Sequence, residues 1–144
     1  MQSFDKYGLN KNLLKSIKKM GFEKPTSIQD KVIPHILSSE SDIIATAQTG
    51  TGKTAAFGLP IINLTDNHNK NIECVILCPT RELCLQISKD LSVFSEHMKY
   101  YKIIPIYGGS KIENQIKAIR ENPKIIVCTP GRLNDLIQRK KLNL

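Results

Sequence analysis

Ala47-Gln48-Thr49-Gly50-Thr51-Gly52-Lys53-Thr54 is a glycine-punctuated turn ending in Lys-Thr. Glycines let a backbone curl until successive N–H groups point at one phosphate. A helix starting just beyond adds the positive end of its dipole at the same spot. Lys53 reaches β- and γ-phosphates as a compact charge, and the Thr54 hydroxyl is a Mg²⁺ ligand. The strict GxxxxGK[ST] pattern opens on glycine, and Ala47 stands there instead. Nucleoside triphosphate binding is the inference, from a turn set between a predicted strand and a predicted helix.

Both flanks are predicted. Ile43-Ile44-Ala45 reads as a short buried strand, and a helix runs from about Gly52, kinked or ended by Pro60. Further on, Cys74–Cys78 is a second strand closed by Pro79, followed by a helix from Arg81 to about Met98. Tyr101–Tyr107, with Pro105 inside it, is a third strand placed near a sheet edge. Gly108-Gly109 turns into a helix over Lys111–Glu121, Lys124–Cys128 is a fourth strand, and Gly131–Lys140 a last helix. Upstream, Asn10 caps a helix over Lys11–Met20 that Gly21 stops. A second helix begins after Thr26 or Ser27, turning Ile28, Val32, Ile33, Ile36 and Leu37 inward with a kink at Pro34. Strand, loop and helix repeated in this way predict an α/β fold: a parallel sheet with helices on both faces. Asp66–Asn71 is the most polar stretch and reads as an exposed loop.

Composition agrees with one globular domain. The chain has 144 residues, 40% hydrophobic and 24% charged, which argues against disorder and fibrous repeats. Twenty-one Lys and Arg against thirteen Asp and Glu give a net charge of +8, which suits a polyanionic partner. Apolar runs are far shorter than a membrane span, and Met1–Asp5 opens no secretory signal. The four cysteines form no CxxC pair, and His35, His68 and His97 are scattered, so reduced core thiols are expected rather than zinc. The expectation is a soluble protein of the cell interior.

The base is read elsewhere. Guanine specificity calls for Asn-Lys-x-Asp, and Asn69-Lys70-Asn71-Ile72 lacks the Asp. Gly21-Phe22-Glu23-Lys24-Pro25-Thr26-Ser27-Ile28-Gln29 offers a planar aromatic and an amide able to pair with adenine N6 and N7. Singly, Phe22 reads as core packing and Gln29 as a solvated helix residue.

Together these stretches resemble the DEAD-box RNA helicases over essentially the whole chain. Phe4, Gly21-Phe22 and Pro25-Thr26-x-Ile28-Gln29 are similar to that family's Q motif. Ala47–Thr54 matches its motif I, leading Ala included. Pro79-Thr80-Arg81-Glu82-Leu83 matches motif Ia, Gly108-Gly109 the GG motif, and Thr129-Pro130-Gly131-Arg132 motif Ib. The resemblance implies a RecA-like fold of the P-loop NTPase type, using ATP and Mg²⁺. It implies an ATP-binding set of Phe4, Phe22, Lys24, Thr26, Gln29 and Ala47 through Thr54 (Ala47, Gln48, Thr49, Gly50, Thr51, Gly52, Lys53, Thr54). Phe22 would stack on adenine, Gln29 would read it, and Thr26 would tie the Q motif to the phosphate loop. Lys53 and Thr54 would be catalytic, with Thr54 on the metal. Pro79, Thr80, Arg81, Gly108, Gly109, Thr129, Pro130, Gly131 and Arg132 would hold the RNA backbone without reading sequence.

The resemblance also implies an organisation. Residues 1–30 form a Q-motif region, and 31–144 an incomplete RecA-like domain truncated before the Walker B strand. Asp-Glu-Ala-Asp, Ser-Ala-Thr and the Arg-rich elements of a second RecA-like domain are absent from the sequence. The expected parent is an RNA-dependent ATPase and helicase, cytoplasmic, or nuclear in a eukaryote, with RNA and its own second RecA-like domain as partners and no membrane. The other reading is a module that holds nucleotide or RNA without turnover. A DNA-directed motor is disfavoured, because the Q motif together with Pro-Thr-Arg-Glu-Leu belongs to the RNA family.

Overall fold

The computed structural model describes residues 3–65 and 69–144. Of the polar loop expected over Asp66–Asn71, residues 66–68 lie outside the described residues, and 69–71 are exposed. The chain divides into two compact units, Met1–Leu64 with Val93–Lys99 and Thr65–Ser92 with Tyr100–Leu144. Division at residue 30 is a division of motifs; compactness divides the chain elsewhere.

The first unit is helical. A single 3₁₀ turn at Phe4–Tyr7 precedes α1 (Lys11–Lys19), α2 (Ser27–Ser38) and α3 (Lys53–Leu64). The Asn10 side chain caps α1 by accepting from the Asn12 N–H at 2.8 Å, and Gly21 takes a left-handed φ of +78° just beyond its end. Helix α1 buries Leu13, Ser16 and Ile17 and exposes its lysines, so amphipathic spacing sets its seat. Helix α2 packs on α3. It buries Val32 and Ile33, whereas Ile28, Ile36 and Leu37 are only half-buried. Both helices run through their internal prolines, Pro34 and Pro60, for another four residues. Asn63, near the end of α3, accepts from the Asn10 N–H at 2.7 Å and so ties the start of α1 to it.

The second unit holds a parallel sheet of order β1-β3-β2, from β1 (Cys74–Leu77), β2 (Ile103–Ile106) and β3 (Ile125–Cys128). Helices α4 (Arg81–Phe94, its last two residues in the first unit), α5 (Ile112–Ile119) and α6 (Pro130–Gln138) follow the three strands. Register aligns Val75 and Ile104 with Ile126, and Leu77 and Ile106 with Cys128. Central β3 is buried at every position, as an apolar run covered on both faces requires. Ile126 and Cys128 meet Leu136 and Leu142, with Ile112, Ile116 and Ile119 of α5 packed on the same cluster. Pro105 lies in an edge strand, where its missing N–H breaks no ladder.

One expected strand is corrected. Residues 42–48 are neither helix nor strand, and Ile44 is 97% exposed. A strand exists only beside a hydrogen-bonding neighbour, and the sheet of the described residues contains three strands, not four.

All four cysteines are free thiols. Burial pushes Cys74 up to about 11 and Cys128 up to about 12, so they sit as small apolar groups at neutral pH. Lys124, buried to 2% just ahead of β3, has an ammonium with no hydrogen-bond partner.

Candidate functional site

In the first unit the Q-motif residues and the glycine loop meet. Thr26 precedes α2, and its N–H donates to Gln29 Oε1 at 2.9 Å, half of a capping box. Its hydroxyl donates to the Thr51 carbonyl at 2.8 Å. Gln29, only 2% exposed, donates from Nε2 to the Gly52 carbonyl at 3.2 Å. Two neighbouring loop carbonyls are thus held by two residues of one helix start. Gly50 and Gly52 take left-handed φ values of +80° and +85°, which L side chains adopt only under strain. Space decides the second position. A Cβ on Gly52 would stand 2.3 Å from Gln29 Nε2.

An open cleft of about 420 Å³ lies here, lined by Phe22, Lys24, Thr26, Gln29 and Gly50 to Gly52 among others. Ala47 borders a separate hollow with Thr26 and Thr51, and Gln48 and Thr49 are exposed. Lys53 turns back on its own loop, donating to the Ala47 carbonyl at 2.5 Å and the Gln48 carbonyl at 2.8 Å. Thr51 donates to the same Gln48 carbonyl at 2.7 Å. Thr54, second residue of α3, is half-buried. Phe22 is half-buried between two rings, with Phe4 at 6.2 Å and Phe94 at 6.4 Å between centroids. Phe4 itself is 3% exposed and stands behind Phe22 rather than in the cleft.

An ionic cluster was missed in the sequence. The Asp30 carboxylate accepts from Lys6 Nζ and, at 2.7 Å, from the Tyr7 hydroxyl. Those two donors hold its pKa below the ordinary carboxylate value, while burial and the Asp30 charge push the Tyr7 phenol up.

In the second unit the remaining motifs follow the carboxyl ends of the three parallel strands, where ligands of open α/β sheets bind. After β1, exposed Pro79 leads to Thr80, whose hydroxyl accepts from the Leu83 N–H at 3.2 Å and caps α4. Exposed Arg81 lays its guanidinium 4.9 Å from the Tyr107 ring centre, and its Nη1 is 3.8 Å from where a Cβ on Gly109 would sit. Gly108 and Gly109 are exposed after β2, and Thr129, Pro130 and Gly131 open α6 after β3. The Thr129 N–H donates to the Ile106 carbonyl at 2.9 Å.

Arg132 faces inward. Its side chain is 13% exposed, and Nη1 donates to the Ser110 carbonyl at 3.2 Å and to Gln115 Oε1 at 3.1 Å. Gln115, 7% exposed on α5, donates in turn to the Tyr107 carbonyl at 2.9 Å and to Ser110 Oγ. One glutamine therefore ties the double-glycine turn to the arginine in the first turn of α6. Among the described residues no group of three His, Cys, Asp or Glu could hold a metal ion, and no helix is long and apolar enough to cross a membrane.

Residues 26–144 match the protein-family model described as DEAD/DEAH box helicase. The chain is 49% identical, over 144 residues, to the DEAD-box ATP-dependent RNA helicase CshA of Bacillus cereus, covering 100% of this chain and 27% of that protein. It is 46% identical over 142 residues to its counterpart in Bacillus subtilis, covering 99% and 28%. Among solved structures it is similar to a DEAD box protein from the hyperthermophile Methanococcus jannaschii, with 47% identity and a TM-score of 0.93, covering 100% of this chain and 39% of that one. It is also similar to Saccharomyces cerevisiae Dbp5 bound to RNA and ADP BeF3, with 36% identity and a TM-score of 0.88, covering 100% and 36%. The chain thus spans about a quarter of the length of the curated relatives it matches.

Proposed function

Because the chain belongs to the DEAD/DEAH box helicase family, we propose that it forms the ATP- and RNA-binding front of the first RecA-like domain of a cytoplasmic ATP-dependent RNA helicase. The observation that carries this reading is the pair of bonds from Thr26 and Gln29 to the Thr51 and Gly52 carbonyls. They fasten an adenine-reading segment to a phosphate-binding turn along one cleft.

The residues fit a Mg²⁺-nucleotide. After its two bonds the Gln29 amide keeps one N–H and one lone pair, the pair of functions that adenine N7 and N6 require. A Cβ on Gly50 would meet nothing within 4 Å, so the loop backbone is open to a phosphate. Lys53 moves from the Ala47 and Gln48 carbonyls to the phosphates, exchanging two neutral acceptors for anionic ones. Thr54 would hold the Mg²⁺, which supplies charge neutralisation of the β- and γ-phosphates. Phe22 offers its ring to the base, with Phe4 and Phe94 behind and beside it.

Thr80, Arg81, Gly109, Thr129 and Arg132, with neighbouring Pro79, Gly108, Pro130 and Gly131, form the RNA-backbone side. Backbone amides at helix starts, a guanidinium and small hydroxyls suit phosphate and ribose contacts. In the complete helicase, ATP and RNA together would close this domain on a second RecA-like domain, the bent RNA would locally lose its pairing, and hydrolysis would permit release. By itself the 144-residue chain is a holding module, since its sequence contains neither Asp-Glu-Ala-Asp nor Ser-Ala-Thr.

Steady-state ATP turnover tests both halves. The complete protein should be stimulated by RNA more than by DNA, and Lys53→Ala should abolish the stimulation. Residues 1–144 should show only RNA-independent background, because loss of catalytic charge partners costs orders of magnitude. Stimulation by DNA alone would overturn the RNA assignment, and RNA-stimulated turnover by residues 1–144 would overturn the holding-module reading.

A further inference from the structure

Resting on the adenine-cleft reading above, we propose that Asp30 is a positioning residue for the nucleotide base, setting the ring of Phe22 through a clamp on the N-terminal 3₁₀ turn. Asp30 follows Gln29 directly on α2. One of its carboxylate oxygens, Oδ1, accepts from both Lys6 Nζ and the Tyr7 hydroxyl, residues of the Phe4–Tyr7 turn. The Lys6 ammonium also lies 4.9 Å from the centre of the Tyr7 ring, so the three side chains form one closed group. The turn is fixed at its start as well, where the Ser3 hydroxyl accepts from the Asp5 N–H.

What the clamp delivers is Phe4. Its ring, 3% exposed, sits 6.1 Å from Tyr7 and 6.2 Å from Phe22, tilted 31° to the latter. Phe22 belongs to the short connection between α1 and α2, anchored by its N–H to the Ile17 carbonyl at 3.0 Å. Without Phe4 behind it, Phe94 would be the one aromatic ring left against Phe22 among the described residues. Asp30 therefore couples the two base contacts, because the helix that carries Gln29 also holds the turn that backs Phe22. An exposed ion pair by itself contributes little. A phenol and an ammonium sharing one carboxylate oxygen fix a position as well as a charge.

The experiment compares ADP, which uses base and loop, with inorganic tripolyphosphate, which uses the loop alone. Both are titrated by calorimetry into the complete protein. Asp30→Asn and Tyr7→Phe should each weaken ADP about tenfold, a difference of about 1.4 kcal/mol, and leave tripolyphosphate unchanged. Asp30→Glu, which keeps the carboxylate, should restore most of the ADP affinity. Equal loss of both ligands would show a general structural role and overturn the proposal. Unchanged ADP affinity in Asp30→Asn and Tyr7→Phe, with a loss in Phe22→Ala, would overturn it while leaving the adenine reading in place. Unchanged ADP affinity in Phe22→Ala would remove the adenine reading and this proposal together.

Discussion

The Gln29 side-chain amide donates to the Gly52 carbonyl at 3.2 Å, while the missing Cβ of Gly52 leaves the space that amide occupies. The contact works only with glycine there. It also needs the +85° φ that Gly52 adopts.

Gly52→Ala should therefore be costly twice. Backbone strain at a left-handed φ contributes about 1–2 kcal/mol, and the new methyl displaces the Gln29 amide. Thermal unfolding should register the strain, and calorimetry should show weaker ADP binding. Gln29→Ala combined with Gly52→Ala removes the clash, so the pair should be less than additive.

Arg81 and Arg132 should separate in their effects. Arg132→Ala breaks charge-assisted bonds to Ser110 and Gln115 and should lower stability by about 1.5–3 kcal/mol in chemical denaturation. Arg81→Ala loses an exposed stacking contact and should leave the denaturation midpoint nearly in place. In RNA binding, Arg81→Ala should lower the log–log salt slope by about 0.7, one phosphate's share for a single strand. A flat salt response in the unmutated protein would make the +8 charge a solubility feature.

The Asp30 cluster makes stability depend on pH in one direction. Lys6 and Tyr7 hold the Asp30 carboxyl below its reference value of 3.8. A group with a lowered folded pKa contributes stability that is present above its unfolded pKa and lost as pH falls through the folded one. The difference in melting temperature between the unmutated protein and Asp30→Asn should hold steady from neutral pH to about pH 5 and shrink below about pH 4.

Lys124 should be replaceable at a profit. Its ammonium is buried without a hydrogen-bond partner, so its desolvation is uncompensated. Lys124→Met keeps the length of the stem and removes the charge, and should raise stability by about 1–3 kcal/mol. A lower melting temperature would show that the ammonium is paired in solution.

Local chemistry made much of this fold legible. Asn10 and Thr26 sit ahead of their helices as capping residues do, and the apolar run at 125–128 became the buried central strand. Pro105 marked an edge strand because a central ladder needs its N–H. Ile43-Ile44-Ala45 failed because strand formation depends on a neighbour that no local pattern specifies. At the site, the glycine turn singled out Gly50 and Gly52, whereas Thr26 and Gln29 stood out through the resemblance to the Q motif. Gln115 went unnoticed: it reads as one more polar residue beside Asn114 on α5, and its partners Tyr107, Ser110 and Arg132 all lie outside that helix. Tyr7 and Asp30 are 23 positions apart, so their bond belongs to the packing of a turn on a helix and to no motif.

The central claim is that this cleft takes an adenine nucleotide through Gln29 and Phe22. Calorimetry of ADP against GDP, on the unmutated chain and on Gln29→Ala, tests it most directly. ADP should bind more tightly than GDP, and Gln29→Ala should narrow the gap by about 1–3 kcal/mol, the value of a paired base contact. Equal affinities for ADP and GDP in the unmutated chain would contradict it.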